Sequence, residues 1–116
     1  ILREHLLLRE RLRPYVMRLA EATHRTGAPV MRPLFFDFPD DEATWGVDDQ
    51  FMFGPDLLVV PITAAGVRGR AVYLPAGTRW VERVTGTIHD GGSTVQAEAP
   101  LERIPVYLRE GAVALW

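Results

Sequence analysis

Pro29-Val-Met-Arg-Pro-Leu-Phe-Phe-Asp-Phe-Pro-Asp-Asp41, continuing to Asp49-Gln-Phe-Met-Phe-Gly54 and Leu57-Leu-Val-Val-Pro-Ile62, sets apolar, strand-like runs on either side of one acidic turn. Residues Leu57 to Val60 are apolar without the alternation of a half-buried strand, which predicts a strand covered on both faces and therefore a central one. Arg32 interrupts the first run. A guanidinium among apolar neighbours needs a carboxylate or several carbonyl groups, and Asp37 and Asp49 are near enough in sequence to supply one. Gln50 enters the second run as a polar side chain and is expected to bond backbone groups of the acidic turn.

Before this stretch, Leu2, Leu6, Leu8, Leu12, Val16, Leu19 and Ala22 recur mostly at intervals of three to four, with arginines and glutamates between them. The spacing predicts an amphipathic helix to about Thr26, ended by Gly27 and Pro29. Pro14 removes a backbone donor inside it, so a kink or break is expected between Leu12 and Tyr15. Glu10 with Arg13 and Glu21 with Arg25 are the candidate ion pairs on its surface.

After the acidic turn, Gly- and Pro-rich signals recur about every ten residues, at Gly54-Pro55, Ala65-Gly66, Pro75-Ala-Gly77, Thr85-Gly86, Asp90-Gly-Gly92, Pro100 and Glu110-Gly111. The runs between them predict strands over Val30 to Phe36, Gln50 to Phe53, Leu57 to Ile62, Ala71 to Leu74, Arg79 to Val84, Thr94 to Ala97, Pro105 to Leu108 and Val113 to Trp116. The fold class that follows is mainly β, an antiparallel β-sandwich preceded by one long amphipathic α-helix.

The chain has 116 residues, within the range of one domain, and a net charge of -2. A chain of this size buries a modest core, so loss of a neighbour covering an apolar face predicts marginal stability in isolation. It has no long basic run, so neither nucleic acid nor an anionic membrane surface is expected as a partner. The absence of cysteine excludes a disulfide framework and thiolate chemistry and tilts localisation towards the cytoplasm without excluding secretion. Apolar runs fall short of a membrane span, and residues 1–20 are too charged for a signal peptide. Beginning inside a helical pattern without methionine, the chain reads as a piece of something longer.

The acidic cluster Asp37, Asp40, Asp41, Glu42, Asp48 and Asp49 is the one place where a glycosidase-like carboxylate pair is conceivable. A solvated turn keeps carboxylates ionised, however, and the favoured role is a helix cap, Asp40 or Asp41 capping a short turn through Glu42, Ala43 and Thr44. His5, His24 and His89 are at no recognised ligand spacing, so no metal site is expected. His24 near the end of the helix suits the dipole there. Gly66 and Gly69 precede a strand and not a helix, which reads as a hairpin loop and not a phosphate loop. Ser93 lacks the strained elbow of a nucleophile. Trp45, Trp80 and Trp116, with Tyr73 and Tyr107, could stack on sugar rings, but Trp80 and Trp116 are expected to pack a core or a domain interface. Trp45, in the acidic turn, is the most open of the set.

Leu12-Arg-Pro-Tyr15, Thr26-Gly-Ala-Pro-Val-Met-Arg-Pro-Leu34, Asp37-Phe-Pro-Asp40, Asp49-Gln-Phe-Met-Phe-Gly54 and Leu57-Leu-Val-Val-Pro61 form an ordered set. Val72-Tyr-Leu-Pro-Ala-Gly77 with Trp80, Gly91-Gly92 and Ile104-Pro-Val-Tyr-Leu-Arg109 extend it. Together they resemble the C-terminal part of glycoside hydrolase family 31, the retaining α-glucosidases and α-xylosidases. The resemblance implies that residues 1–38 are the C-terminal end of a catalytic (β/α)8 barrel, helix and crossover strand, and that residues 39–116 are the proximal C-terminal β-sandwich domain. It implies a parent that hydrolyses terminal α-glucosides or α-xylosides through two aspartates on barrel strands upstream of Ile1. No residue here matches either aspartate motif. The resemblance therefore assigns this chain a supporting role with no catalytic, cofactor-binding or metal residues, no cofactor, and a carbohydrate substrate met only through the barrel. The alternative is a free-standing carbohydrate-binding or structural β-sandwich module.

Overall fold

The computed structural model describes residues 2–62, 69–83, 85–98 and 104–111. A long helix, α1 (Leu2–Thr26), is followed by β1 (Met31–Arg32), a short helix α2 (Leu34–Asp37) and a 3-10 turn at Glu42–Gly46. Seven strands then follow: β2 (Phe51–Phe53), β3 (Leu57–Val59), β4 (Gly69–Leu74), β5 (Arg79–Glu82), β6 (Ile88–Asp90), β7 (Ser93–Glu98) and β8 (Val106–Arg109). The expected fold class holds: a long helix precedes two antiparallel sheets, and the described part after it is mostly β.

The larger sheet has six strands in the order β1-β2-β3-β8-β5-β6, and the smaller pairs β4 with β7. β3 lies inside the larger sheet between β2 and β8, as the uniformly apolar run predicts. Successive residues of a strand point to opposite faces, and here both faces are dry. Leu58 and Tyr107, paired across β3 and β8, join Met52, Trp80, Val72, Leu74 and Ala97 in the core between the two sheets. Leu57 and Leu108, one register step away, meet Tyr15 and Leu19 of α1 on the other face. The molecule is thus three layers: helix, six-stranded sheet, two-stranded sheet. Each buried Leu or Val contributes about 2 kcal/mol of transfer free energy, so both interfaces of the large sheet matter to its persistence.

Several local expectations are corrected. α1 continues through Pro14 without a break. Leu12 packs partly and Tyr15 fully on the sheet, so contacts on both sides of the proline hold the helix together where propensity alone would interrupt it. Gly27, at φ 76°, ends it, its N–H donating to the Thr23 carbonyl at 2.8 Å. The run from Val30 to Phe36 is not one strand. Pro33, extended at φ -66° and ψ 160°, stops β1 after two residues and starts α2, where Leu34 is fully buried. Ile88–Asp90 forms a strand that no apolar run announces, while the expected strand from Val113 to Trp116, the loop through Gly66 and the Pro100 turn lie outside the described residues.

Candidate functional site

The acidic turn is built from structural bonds. Asp41 caps the 3-10 turn, as expected, by accepting from the Ala43 N–H at 3.2 Å. Its second oxygen accepts from the Tyr73 hydroxyl and, at 2.9 Å, from the Ala76 N–H. One carboxylate therefore ties the turn to β4 and to the turn that follows it. Burial pushes the Asp41 pKa up, but the N–H groups of Ala76 and Ala43 and the Tyr73 hydroxyl outweigh it, leaving the pKa below its ordinary value. The same bond, with burial as the larger cause, raises the Tyr73 hydroxyl to about 12. Thr44 is fully buried and donates to the Phe38 and Asp41 carbonyls. Trp45 donates its indole N–H to the Pro39 carbonyl at 3.1 Å while its ring stays 60 % exposed.

Arg32 takes Asp37 as its partner, Nη1 to Oδ1 at 3.2 Å, with side chains only 10 % and 14 % exposed. Asp49, the other candidate, pairs instead with Arg70 at 2.8 Å. Phe36 lies under the Arg32 guanidinium at 4.9 Å, and the Arg109 guanidinium covers the Phe38 ring at 4.8 Å. Burial raises the Asp37 pKa; the charges of Arg32 and Arg109 pull it down but do not win. Asp37 Oδ2, Arg32 Nε and Arg109 Nε are buried without a hydrogen-bond partner, which accounts for the incomplete compensation. A buried acid with a raised pKa satisfies one requirement of general-acid catalysis. Here its first neighbour is an arginine that holds it in a corner of the fold, the arrangement of a structural ion pair.

Gln50 does not bond the acidic turn. It crosses to the second sheet, donating to the Tyr73 carbonyl and accepting from the Tyr73 N–H, both at 2.8 Å. A primary amide carries one donor and one acceptor side by side, so it completes a rung on β4 that no strand supplies among the described residues.

At the joint between α1 and the sheet, the Tyr15 hydroxyl donates to the Phe53 carbonyl at 2.7 Å and accepts from the Asp56 N–H at 3.2 Å, clamping the turn at Gly54-Pro55. Gly54, at φ 69°, has no room for a side chain, because a Cβ would run into the Tyr15 hydroxyl and Leu19. Burial is the main reason that the Tyr15 hydroxyl rises to about 12. The clamp escaped the residue-level reading, although the Leu-Arg-Pro-Tyr pattern and the Gly-Pro turn were its visible halves.

The remaining candidates have ordinary surroundings. Trp80 is fully buried, donating to the Pro75 carbonyl at 3.0 Å, and Tyr107 is buried with the His89 ring 6.1 Å away. Ser93 donates to the Asp90 carbonyl in the turn before β7. Of the glycine pair, Gly69 opens β4. Glu10 and Arg13 form the helix-surface ion pair at 2.6 Å, whereas Glu21 and Arg25 do not come together. Among the described residues no group of His, Asp or Glu is placed to hold a metal ion. Trp116 lies outside them.

The profile of the glycosyl hydrolase family 31 C-terminal domain matches residues 27–114. The chain belongs to that family. Among solved structures, a family 31 α-xylosidase from a soil metagenome, complexed with xylose, is 58 % identical with a TM-score of 0.91, over 94 % of this chain and 16 % of that one. The family 31 α-xylosidase of Xanthomonas citri is 43 % identical with a TM-score of 0.85, over 90 % of this chain and 11 % of its own. α-Glucosidase 2 of Bacillus thermoamyloliquefaciens is 40 % identical over 99 % of this chain and 15 % of the relative. This family 31 domain thus spans 11 to 16 % of the length of these relatives and corresponds to the C-terminal domain of α-glucosidases and α-xylosidases.

Proposed function

We propose that this chain is the structural support of a retaining α-glycosidase that hydrolyses terminal α-glucosides or α-xylosides, and that it contributes no catalytic residue. In this reading residues 1–38 close the catalytic (β/α)8 barrel, with the crossover segment lending β1 to the sheet, and residues 39–116 form the proximal C-terminal β-sandwich. The observation that carries it is the employment of the acidic side chains. A retaining glycosidase holds two carboxyl groups about 5 Å apart beside a sugar-sized cleft. Here Asp41 joins the turn to β4, Asp49 holds Arg70 and Asp37 holds Arg32. The likeness to the xylose-bound α-xylosidase supports the substrate class.

The isolated chain is expected to turn over neither aryl α-glucosides nor aryl α-xylosides, and to bind neither glucose nor xylose by calorimetry. Turnover by the chain that Asp40→Asn or Asp41→Asn abolishes would overturn the reading. A second reading, a free-standing carbohydrate-binding module, is favoured by Trp45, whose exposed ring is fixed through its N–H. Sugar binding that Trp45→Ala removes would select it.

A further inference from the structure

The corner between β1 and α2 buries more polar valence than the described residues satisfy. Arg32 and Asp37 meet there through a single bond, Nη1 donating to Oδ1 at 3.2 Å. A guanidinium and a carboxylate can also pair side by side, through two parallel bonds. Here the second atoms, Arg32 Nε and Asp37 Oδ2, are closed off from solvent and have no hydrogen-bond partner among the described residues. Arg109 Nε is a third such atom. It belongs to the same cluster, since the charge of Arg109 attracts that of Asp37 as Arg32 does, and Asp56 opposes both. The Arg109 backbone N–H donates in turn to the Asp56 carbonyl at 2.8 Å. Aromatic rings wall the cluster, Phe36 at 4.9 Å from the Arg32 guanidinium and Phe38 at 4.8 Å from that of Arg109. A ring face attracts a cation, but it offers no lone pair in the plane of the guanidinium where the Nε–H points.

Two donors and one acceptor decide what can bond all three atoms. An anion would take both Nε–H groups but face the Asp37 carboxylate, and a cation would take Oδ2 but face two guanidiniums. A neutral hydroxyl accepts from an N–H and donates to a carboxylate at once. Water is the smallest molecule that does so, and buried waters make about three hydrogen bonds. The side chains of Arg32 and Asp37 keep 10 % and 14 % exposure, which sets the pair just beneath the surface, where solvent can enter. We propose that one internal water bridges Arg32 Nε and Asp37 Oδ2 and takes Arg109 Nε as its third partner, making a buried, water-completed ion pair. The water accepts from both Nε–H groups and donates one O–H to Oδ2. It thereby joins β8, through Arg109, to a corner whose direct bond spans only residues 32–37.

The test reads the arginine Nε–H resonances of the full, nitrogen-labelled chain. Arg32 and Arg109 are each expected to show a rotating-frame Overhauser peak to water, with the sign of a bound molecule and not of proton exchange. A wild-type Arg32 Nε–H without that peak would overturn the proposal. In Arg32→Met/Asp37→Leu two of the three partners are gone, and the Arg109 peak should disappear. Its persistence in a double variant that still melts cooperatively would mean that Arg109 is hydrated separately, which removes the shared site. Replacing chloride by bromide should leave the Arg32 and Arg109 resonances in place. Shifts that follow the halide would give the position to an anion and overturn the water. A readout that needs no variant is the electron density of the wild-type chain at high resolution. One single-atom peak within hydrogen-bond reach of Arg32 Nε, Asp37 Oδ2 and Arg109 Nε is expected, and a protein atom there, or no peak, would count against the bridge.

Discussion

At the scale of single residues, two aspartates in neighbouring segments respond to pH in opposite directions. The Asp41 carboxyl lies below its unfolded value, so its contribution is present above about pH 4 and is lost as pH falls through the lowered folded value. Asp37 lies above its unfolded value, so its contribution is full below about pH 4 and is lost as pH rises through the raised value. In thermal melts across pH, Asp41→Asn is expected to flatten the acid limb specifically. An unchanged limb would remove Asp41 from the clasp. The Arg32–Asp37 pair makes a separate test. Arg32→Ala strands a carboxylate that is 14 % exposed and should cost about 3 kcal/mol in urea unfolding. Replacing both partners, as in Arg32→Met/Asp37→Leu, should recover most of that loss, because no unpaired charge remains. A double variant as unstable as the single one would mean that the pair itself, not the stranded charge, sets the cost.

Among the elements, Gln50 connects the two sheets by bonding the Tyr73 backbone of β4, a strand that pairs with β7 alone among the described strands. Gln50→Leu keeps the volume but leaves the Tyr73 N–H and carbonyl without those bonds, and is expected to cost about 2 kcal/mol by chemical denaturation. A near-zero change would mean that water replaces the amide without loss. The bond also marks where sequence reading reaches its limit. α1, the central β3 and the helix cap at Asp41 were legible because each is written in neighbouring residues: a three-to-four spacing, an unalternating apolar run, an acid before a short turn. The partner of Gln50 was not, since Tyr73 lies on a strand of the other sheet and no local pattern points to it. Nor was β6, whose Ile-His-Asp is too short and polar to announce a strand and which forms by pairing with β5. Pro33 misled for the converse reason: the apolar run around it was real, but its ring ended β1 and served as the cap of α2.

For the molecule as a whole, stability should depend on the helix as a layer. Removing residues 1–28 uncovers Leu57, Leu108 and Phe53 on the large sheet and deletes the Tyr15 clamp. The shortened chain is expected to lose cooperative unfolding and to bind a hydrophobic dye. A melt as sharp as that of the intact chain would show that the sheets suffice. The family assignment was legible as an ordered set of short motifs, and the clamp gives two of them a physical reason. Tyr15 and Gly54 occur together because a hydroxyl over a turn requires a residue with no Cβ.

The strand order also bears on how the chain acquires its shape. β8 joins β3 to β5, setting Leu58 beside Tyr107, so the middle of the large sheet forms only when nearly the whole described chain is present. During synthesis β1, β2 and β3 leave the ribosome with an open edge, the kind of edge on which misfolded chains associate. Among the described residues the Tyr15 hydroxyl bonds Phe53 and Asp56, both made well before β8. α1 can therefore settle early and chaperone one face of the nascent sheet, leaving its edge to wait for β8.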